Sequence, residues 1–195
     1  MKKFFAVLLV ALCGAMPLFA DDVADVKAVI VSELEAGVKG DFAGAFAEHY
    51  APDFQQIAPD GVTMNYEQTK WMALALDGKH PVEFWRVLYS IRNNGAMPPR
   101  KALSRMDRLA RTPKYVKLYE ELLPELIAAH KAGAKLQLDT LRFVSVKVDG
   151  NKAVAVVEYD EKDEKSDAVK RMIETLSLRK VSGKWMFYRS VSKSK

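Results

Sequence analysis

The chain has 195 residues, 49% of them hydrophobic and 28% charged, with 30 lysines and arginines against 25 aspartates and glutamates and a single cysteine. That composition excludes a disordered tail, a collagen-like repeat and a disulfide-stapled miniprotein. It names no reaction.

Lys2 and Lys3 precede an apolar run from Phe4 to Leu12, Pro17 breaks the helix, and Leu18-Phe19-Ala20 sets a small residue before Asp21. This order predicts a secretory signal peptide over residues 1–20 and an exported protein, periplasmic or secreted. The competing explanation is an uncleaved membrane anchor, because Phe4 to Ala20 nearly reaches the length of a span. Cys13 follows Leu12, a poor context for lipid attachment. Cleavage after Ala20 removes the only thiol, and with it any disulfide, thiolate zinc site or cysteine nucleophile. Residues 21–195 are long enough to bury one core and are expected to form one domain.

From Asp22 to Gly37 the residues Val23, Val26, Val29, Ile30 and Leu34 recur at helical spacing. Asp41 is a good N-cap for a second helix reaching about Tyr50, stopped by Pro52. Phe54 to Ile57 reads as a strand, with Pro59-Asp60-Gly61 as its turn. Asn65 and Gln68 form a capping box for a third helix through Trp71, Leu74 and Ala75. Three further helices are predicted over Val82–Arg92, Arg100–Arg111 and Tyr115–Lys131, separated by Asn93-Asn94-Gly95, Pro98-Pro99 and Pro113. The last sixty residues are β-rich: Leu138–Val148 and Lys152–Tyr159 joined across Asp149-Gly150, then Val169–Val181 and Lys184–Val191 joined across Ser182-Gly183. Asp160 to Asp167 is a charged loop between the two hairpins. Helices first and an antiparallel meander last make an α+β domain.

Gly40-Asp41-Phe42, Tyr50-Ala51-Pro52-Asp53-Phe54, Asp60-Gly61, the Val148-Asp149-Gly150 hairpin and Gly183-Lys184-Trp185 together resemble the nuclear transport factor 2-like superfamily, which includes ketosteroid isomerases and polyketide cyclase-like proteins. The resemblance covers Val23 to Asp77 and Leu138 to Val191. It implies a cone of three N-terminal helices on a curved antiparallel sheet, enclosing a pocket, and leaves residues 79–135 as a helical insertion. In the isomerases a tyrosine and a general-base aspartate carry the chemistry. The positions that match them here are Glu33 and Ala58. Alanine moves no proton, and a carboxylate repels an enolate where a phenol should donate to it.

No Gly-x-Ser-x-Gly elbow, dinucleotide fingerprint or phosphate-binding loop is present, and His49, His80 and His130 are too far apart in sequence to suggest a metal site. No metal and no cofactor are expected. His49, Tyr50, Asp53 and Gln56 cluster where the resembling folds have their pocket mouth. Trp71, Glu158, Tyr159, Tyr188 and Arg189 are the residues that join them as candidates. Such a pocket suits a small apolar or amphipathic ligand. Glu158, a carboxylate in an apolar strand, is the sharpest of the set if its pKa is raised. A salt bridge at the strand end explains it equally well, and Trp71 and Tyr188 also fit as core aromatics.

In the strand from Ala153 to Tyr159 one face carries Ala153, Ala155, Val157 and Tyr159 and the other Val154, Val156 and Glu158. The last strand likewise sets Trp185 and Phe187 against Met186 and Tyr188. Both faces need cover, which predicts either packing by the inserted helices or a homodimer through the sheet. Val116, Tyr119, Leu122, Leu123, Leu126 and Ile127 form an apolar stripe suited to the outer sheet face or to the helix Val82–Ile91, or to lying over the cone mouth as a lid. Residues 79–135 hold 12 basic and 5 acidic residues. Arg100, Lys101, Arg105, Arg108 and Arg111 form a basic stripe there, suited to an anionic surface or protein partner or simply to a solvated helix face. An exported address argues against nucleic acid. The sequence reads as an exported small-molecule-binding or accessory domain. The alternatives are a lyase or isomerase pairing His49 or Asp53 with Glu158, and a structural interaction module.

Overall fold

The computed structural model describes residues 17–162 and 168–195. Of the expected signal segment, residues 1–16 lie outside the described residues. Pro17 opens α1, which runs Pro17–Lys39, so the expected cleavage point falls within that helix. No described helix is long and apolar enough to cross a membrane.

Local chemistry sets the first elements. Helix α2, Phe42–His49, starts where the Asp41 carboxylate accepts the Gly44 N–H at 3.1 Å. Strand β1, Tyr50–Ile57, follows at once and so begins earlier than the expected Phe54. Pro52 is tolerated inside it because the pairing with the last strand is interrupted between Tyr50 and Gln55. Beyond the turn, where Asp60 accepts the Val62 N–H at 3.0 Å, comes β2, Thr63–Asn65. The Asn65–Gln68 capping box then opens α3, Tyr66–Leu76.

The inserted stretch forms α4, Pro81–Arg92, α5, Arg100–Ala110, and α6, Pro113–Thr140. Helix α6 continues well past the expected Lys131 and through Leu138, where a strand was expected; Pro124 inside it removes one backbone donor without ending it. Its C-terminal half packs against α1 and β4, and this contact keeps the segment helical. A Cβ at Gly37 of α1 would lie 2.9 Å from the Ala134 Cβ, so the missing side chain permits the close approach. The insertion therefore has no structural boundary at residue 135. The apolar stripe of α6 meets α3 and α4, as one of the expectations held: Ala75, Phe84 and Tyr119 are buried together, with Trp85, Leu88, Leu123 and Leu126 around them. Tyr119 Oη donates to the Ala75 carbonyl at 2.6 Å.

Strands β3, Arg142–Asp149, β4, Lys152–Lys162, β5, Val169–Val181, and β6, Lys184–Ser194, form the meander. Ser182 and Gly183 both have positive φ, the geometry of a tight hairpin turn. Of the expected charged loop Asp160–Asp167, the first three residues extend β4 and residues 163–167 lie outside the described residues. The sheet order is β2-β1-β6-β5-β4-β3. All neighbours are antiparallel except β1 and β6, which run parallel, so the sheet is mixed rather than purely antiparallel. Register shifts in three of the pairings supply the irregularities that bend a sheet.

The alternation read in the strands is realised. Ala153, Ala155, Val157 and Tyr159 are buried with Leu178, Trp185 and Phe187 beneath Val26 and Ile30 of α1. On the outer face Val144, Val154 and Val169 remain 58%, 41% and 60% exposed. The inserted helices pack on α3, on one another and on the inner side, and do not cover that face.

Candidate functional site

Helix α1 turns the stripe Val26, Ile30, Glu33 and Gly37 inward, one residue per turn, with the first two buried and the last two half-buried, so Glu33 is carried on an otherwise apolar or small face. Tyr50, at the junction of α2 and β1, donates from Oη to Glu33 Oε1 at 2.9 Å. Burial pushes the Glu33 carboxyl up to about 7; the Tyr50 hydrogen bond opposes the rise and the negative Glu174 adds to it. The same burial, with Glu33 alongside, holds the Tyr50 phenol well above its ordinary value.

Glu174 comes from the opposite wall. On β5 it occupies the inward register between Met172 and Leu176, paired across to Val157 of β4 and Ser192 of β6. The Ser190 hydroxyl donates to its Oε1, and the Tyr159 and Ser192 hydroxyls also hydrogen-bond to it. Burial raises the Glu174 pKa, and these bonds only partly offset the effect. Tyr159 is likewise raised by burial and by Glu174 beside it.

Between the two carboxyls lies a cavity of about 150 Å³. Helix α1 contributes Ile30 and Leu34 to its wall, α6 contributes Gln137, and the sheet supplies Phe54, Gln56 and Phe187. Its titratable lining residues are Glu33, Glu174, Tyr50 and Tyr159, and no lysine, arginine or histidine is among them. A second cavity of about 140 Å³ lies on the other side of the Glu33–Tyr50 pair. Its walls are mostly apolar, including Phe42, Phe46, Met72 and Leu76, with His130 also among its lining residues. Phe46 stacks on the Tyr50 ring at 5.2 Å, and Phe54 and Phe187 lie 4.7 and 5.4 Å from that ring. Tyr50 is thus the shared partition.

Of the site residues expected from sequence, Tyr50 and Gln56 line the first cavity, as does Tyr159. His49 is buried outside it, with Nε2 3.4 Å from Ser32 Oγ, and burial lowers its pKa. Asp53 is exposed and pairs with Arg179 at 2.5 Å, whose guanidinium lies 5.7 Å from the Tyr188 ring. Trp71 is buried among the helices, with the Arg86 guanidinium 5.5 Å from its ring. Glu158 reverses its expectation. It sits on the strand face opposite Val157 and Tyr159, and the Lys195 ammonium at 2.9 Å holds its carboxyl below the usual range. The pairing of His49 or Asp53 with Glu158 is therefore not assembled in one cavity. Arg189 is exposed. Arg100, Lys101, Arg105, Arg108 and Arg111 are all exposed on or just beyond α5, and among the described residues none of them makes an ion pair. That helix is tied to α4 by Asp107, which accepts two hydrogen bonds from Arg86 Nη2 at 2.7 and 2.9 Å.

Glu174 and Ser190 escaped the sequence reading. The signal was present as a carboxylate in the apolar register Met172, Leu176, Leu178. Glu33 was noticed only as a poor substitute for a tyrosine. No described group of three histidine, cysteine, aspartate or glutamate side chains is arranged to hold a metal ion.

No protein-family model and no curated protein matches the chain. Solved structures do. An NTF-2 like protein of unknown function from Silicibacter pomeroyi is 16% identical over 91% of this chain and 98% of its own, with a TM-score of 0.45. An NTF2-like protein with a cystatin-like fold from Novosphingobium aromaticivorans is 11% identical, covering 95% and 89%, at 0.48. A ketosteroid isomerase-like protein from Erwinia carotovora is 12% identical, covering 89% and 95%, at 0.41. Likeness of this degree names no reaction.

Proposed function

We propose that the protein is an exported small-molecule-binding domain whose ligand occupies the cavity between α1, α6 and the sheet. One observation carries this reading. Two carboxyl side chains from opposite walls face one cavity, although burial raises both their pKa values and so costs stability at neutral pH. A core that needed only packing would place apolar groups there. Lys2, Lys3 and the apolar run after them support export. The exposed valines of the outer sheet support a homodimer through that face. The exposed cations of α5 support docking to an anionic surface or partner.

A second reading, a lyase or isomerase, has its own support. Glu33 titrates near 7 beside a phenol, as a general acid or base at neutral pH must. The acid–base pair would then be Glu33 and Glu174.

Native mass spectrometry of the protein taken from the periplasm without detergent tests the first reading. A dissociable adduct of small mass is the expected result, and it reports the subunit count as well. An adduct-free protein whose Val157 and Phe187 signals also ignore a library of small fragments would overturn it.

A further inference from the structure

We propose that the cavity selects a small organic cation, a protonated amine held by Glu33 and Glu174 with its carbon skeleton against Tyr50, Phe54 and Phe187. The inference rests on the binding reading above and names the class of ligand. Every titratable side chain in the lining is an acid, so the space can be neutral or negative and never positive. An anionic ligand would meet two carboxyls with no counter-charge, at a cost that burial enlarges. A neutral ligand brings no charge to the two carboxyls, whose hydroxyl partners Tyr50 and Ser190 do not neutralise them. An alkylammonium brings up to three donors and a positive charge to the same point. The aromatic faces suit a cation as well, because a ring's negative face attracts it. Size agrees: about 150 Å³ admits a molecule near benzene in bulk.

The two carboxyls are not equivalent. Glu174 is engaged by Tyr159, Ser190 and Ser192, whereas Glu33 has one partner, Tyr50. Glu33 is therefore the freer acceptor for an incoming N–H. The charged neighbours that act on it are Glu174 from β5 and the Tyr50 phenol from β1; on Glu174 they are Tyr159 and Glu161 of β4. Helix α6 presents only the neutral Gln137. With no cation facing either group, ionisation of Glu33 near pH 7 is the step that prepares the cavity for an amine, and amine binding strengthens as pH rises through it.

The test is an NMR titration of the full chain with three probes of one shape: benzylamine, benzyl alcohol and benzoate. At pH 8 benzylamine is expected to shift the signals of Val157, Leu176 and Phe187, with an affinity about tenfold or more above that of benzyl alcohol, and benzoate to leave them unmoved. Lowering the pH to 5.5 should weaken benzylamine about tenfold and leave benzyl alcohol unchanged. Glu33→Gln and Glu174→Gln should each remove most of the amine preference while retaining the alcohol. Benzyl alcohol binding as tightly as benzylamine, or benzoate binding at all, overturns the amine assignment and leaves the cavity a ligand site. Silence from all three probes overturns the amine assignment, and the binding reading falls with it where the native mass spectrum is also free of adducts. Should either glutamine variant fail to fold, the comparison of probes on the unmodified chain still decides.

Discussion

Two buried regions of this molecule treat polarity in opposite ways. Under the inserted helices, Ala75, Phe84 and Tyr119 form a compact cluster whose one buried hydroxyl is answered by a backbone carbonyl. Between the helices and the sheet, Glu33 and Glu174 sit in a cavity with partners that do not neutralise them. The first arrangement is closely packed, with the Trp85 indole N–H beside it as its one unanswered polar atom among the residues named. The second weakens the fold at neutral pH, because burial holds both carboxyls above their ordinary range.

The sharpest way to break this contrast is to remove its structural half. Tyr119→Ala should cost about 3–5 kcal/mol of stability, read from denaturant unfolding, by emptying a fully enclosed site and orphaning the Ala75 carbonyl. The titration of Glu33 near pH 7 should survive in the folded variant. The carboxyl-lined half should behave in the reverse sense. Glu33 has a folded pKa near 7 against 4.5 unfolded. Below pH 4.5 it is protonated in both states and costs nothing. Between 4.5 and 7 the unfolded chain gives up its proton first, so stability falls with rising pH; above 7 the loss is constant, at about 3 kcal/mol. Glu33→Gln should therefore unfold at higher denaturant concentration than the unmodified protein at pH 8, by roughly that amount, and converge with it at pH 4. A variant no more stable at pH 8 would show that the carboxyl is not strained by its site. The smallest effect belongs to Glu158. On the outer face and paired with Lys195, it should change to glutamine with no alteration of benzylamine affinity.

These contrasts also explain what could be read in advance. Asp41, the Asn65–Gln68 pair and the Ser182-Gly183 turn specify structure through bonds to their own neighbours, so they were legible residue by residue. The helical state of Leu136 to Thr140 was not, because it depends on α1 passing close at Gly37, which is far away in the chain. Pairing β1 parallel to β6 is a long-range choice of the same kind. At the site, Tyr50 and Gln56 were legible from their place after α2, whereas His49 and Asp53 shared that neighbourhood in sequence and not in space, and Glu158, far along the chain, faces the other side of its strand. Glu33 and Glu174 belong to opposite walls, and only the assembled fold brings the two acids to one cavity.

Helix α6 touches both regions: Tyr119 near its start closes the helical cluster, and Gln137 near its end walls the cavity. The stretch that interrupts the resemblance is thus not a detachable cassette. Excising residues 79–135 would sever one continuous rod and leave Gln137 without the helix that carries it, so a trimmed derivative needs another support for that wall.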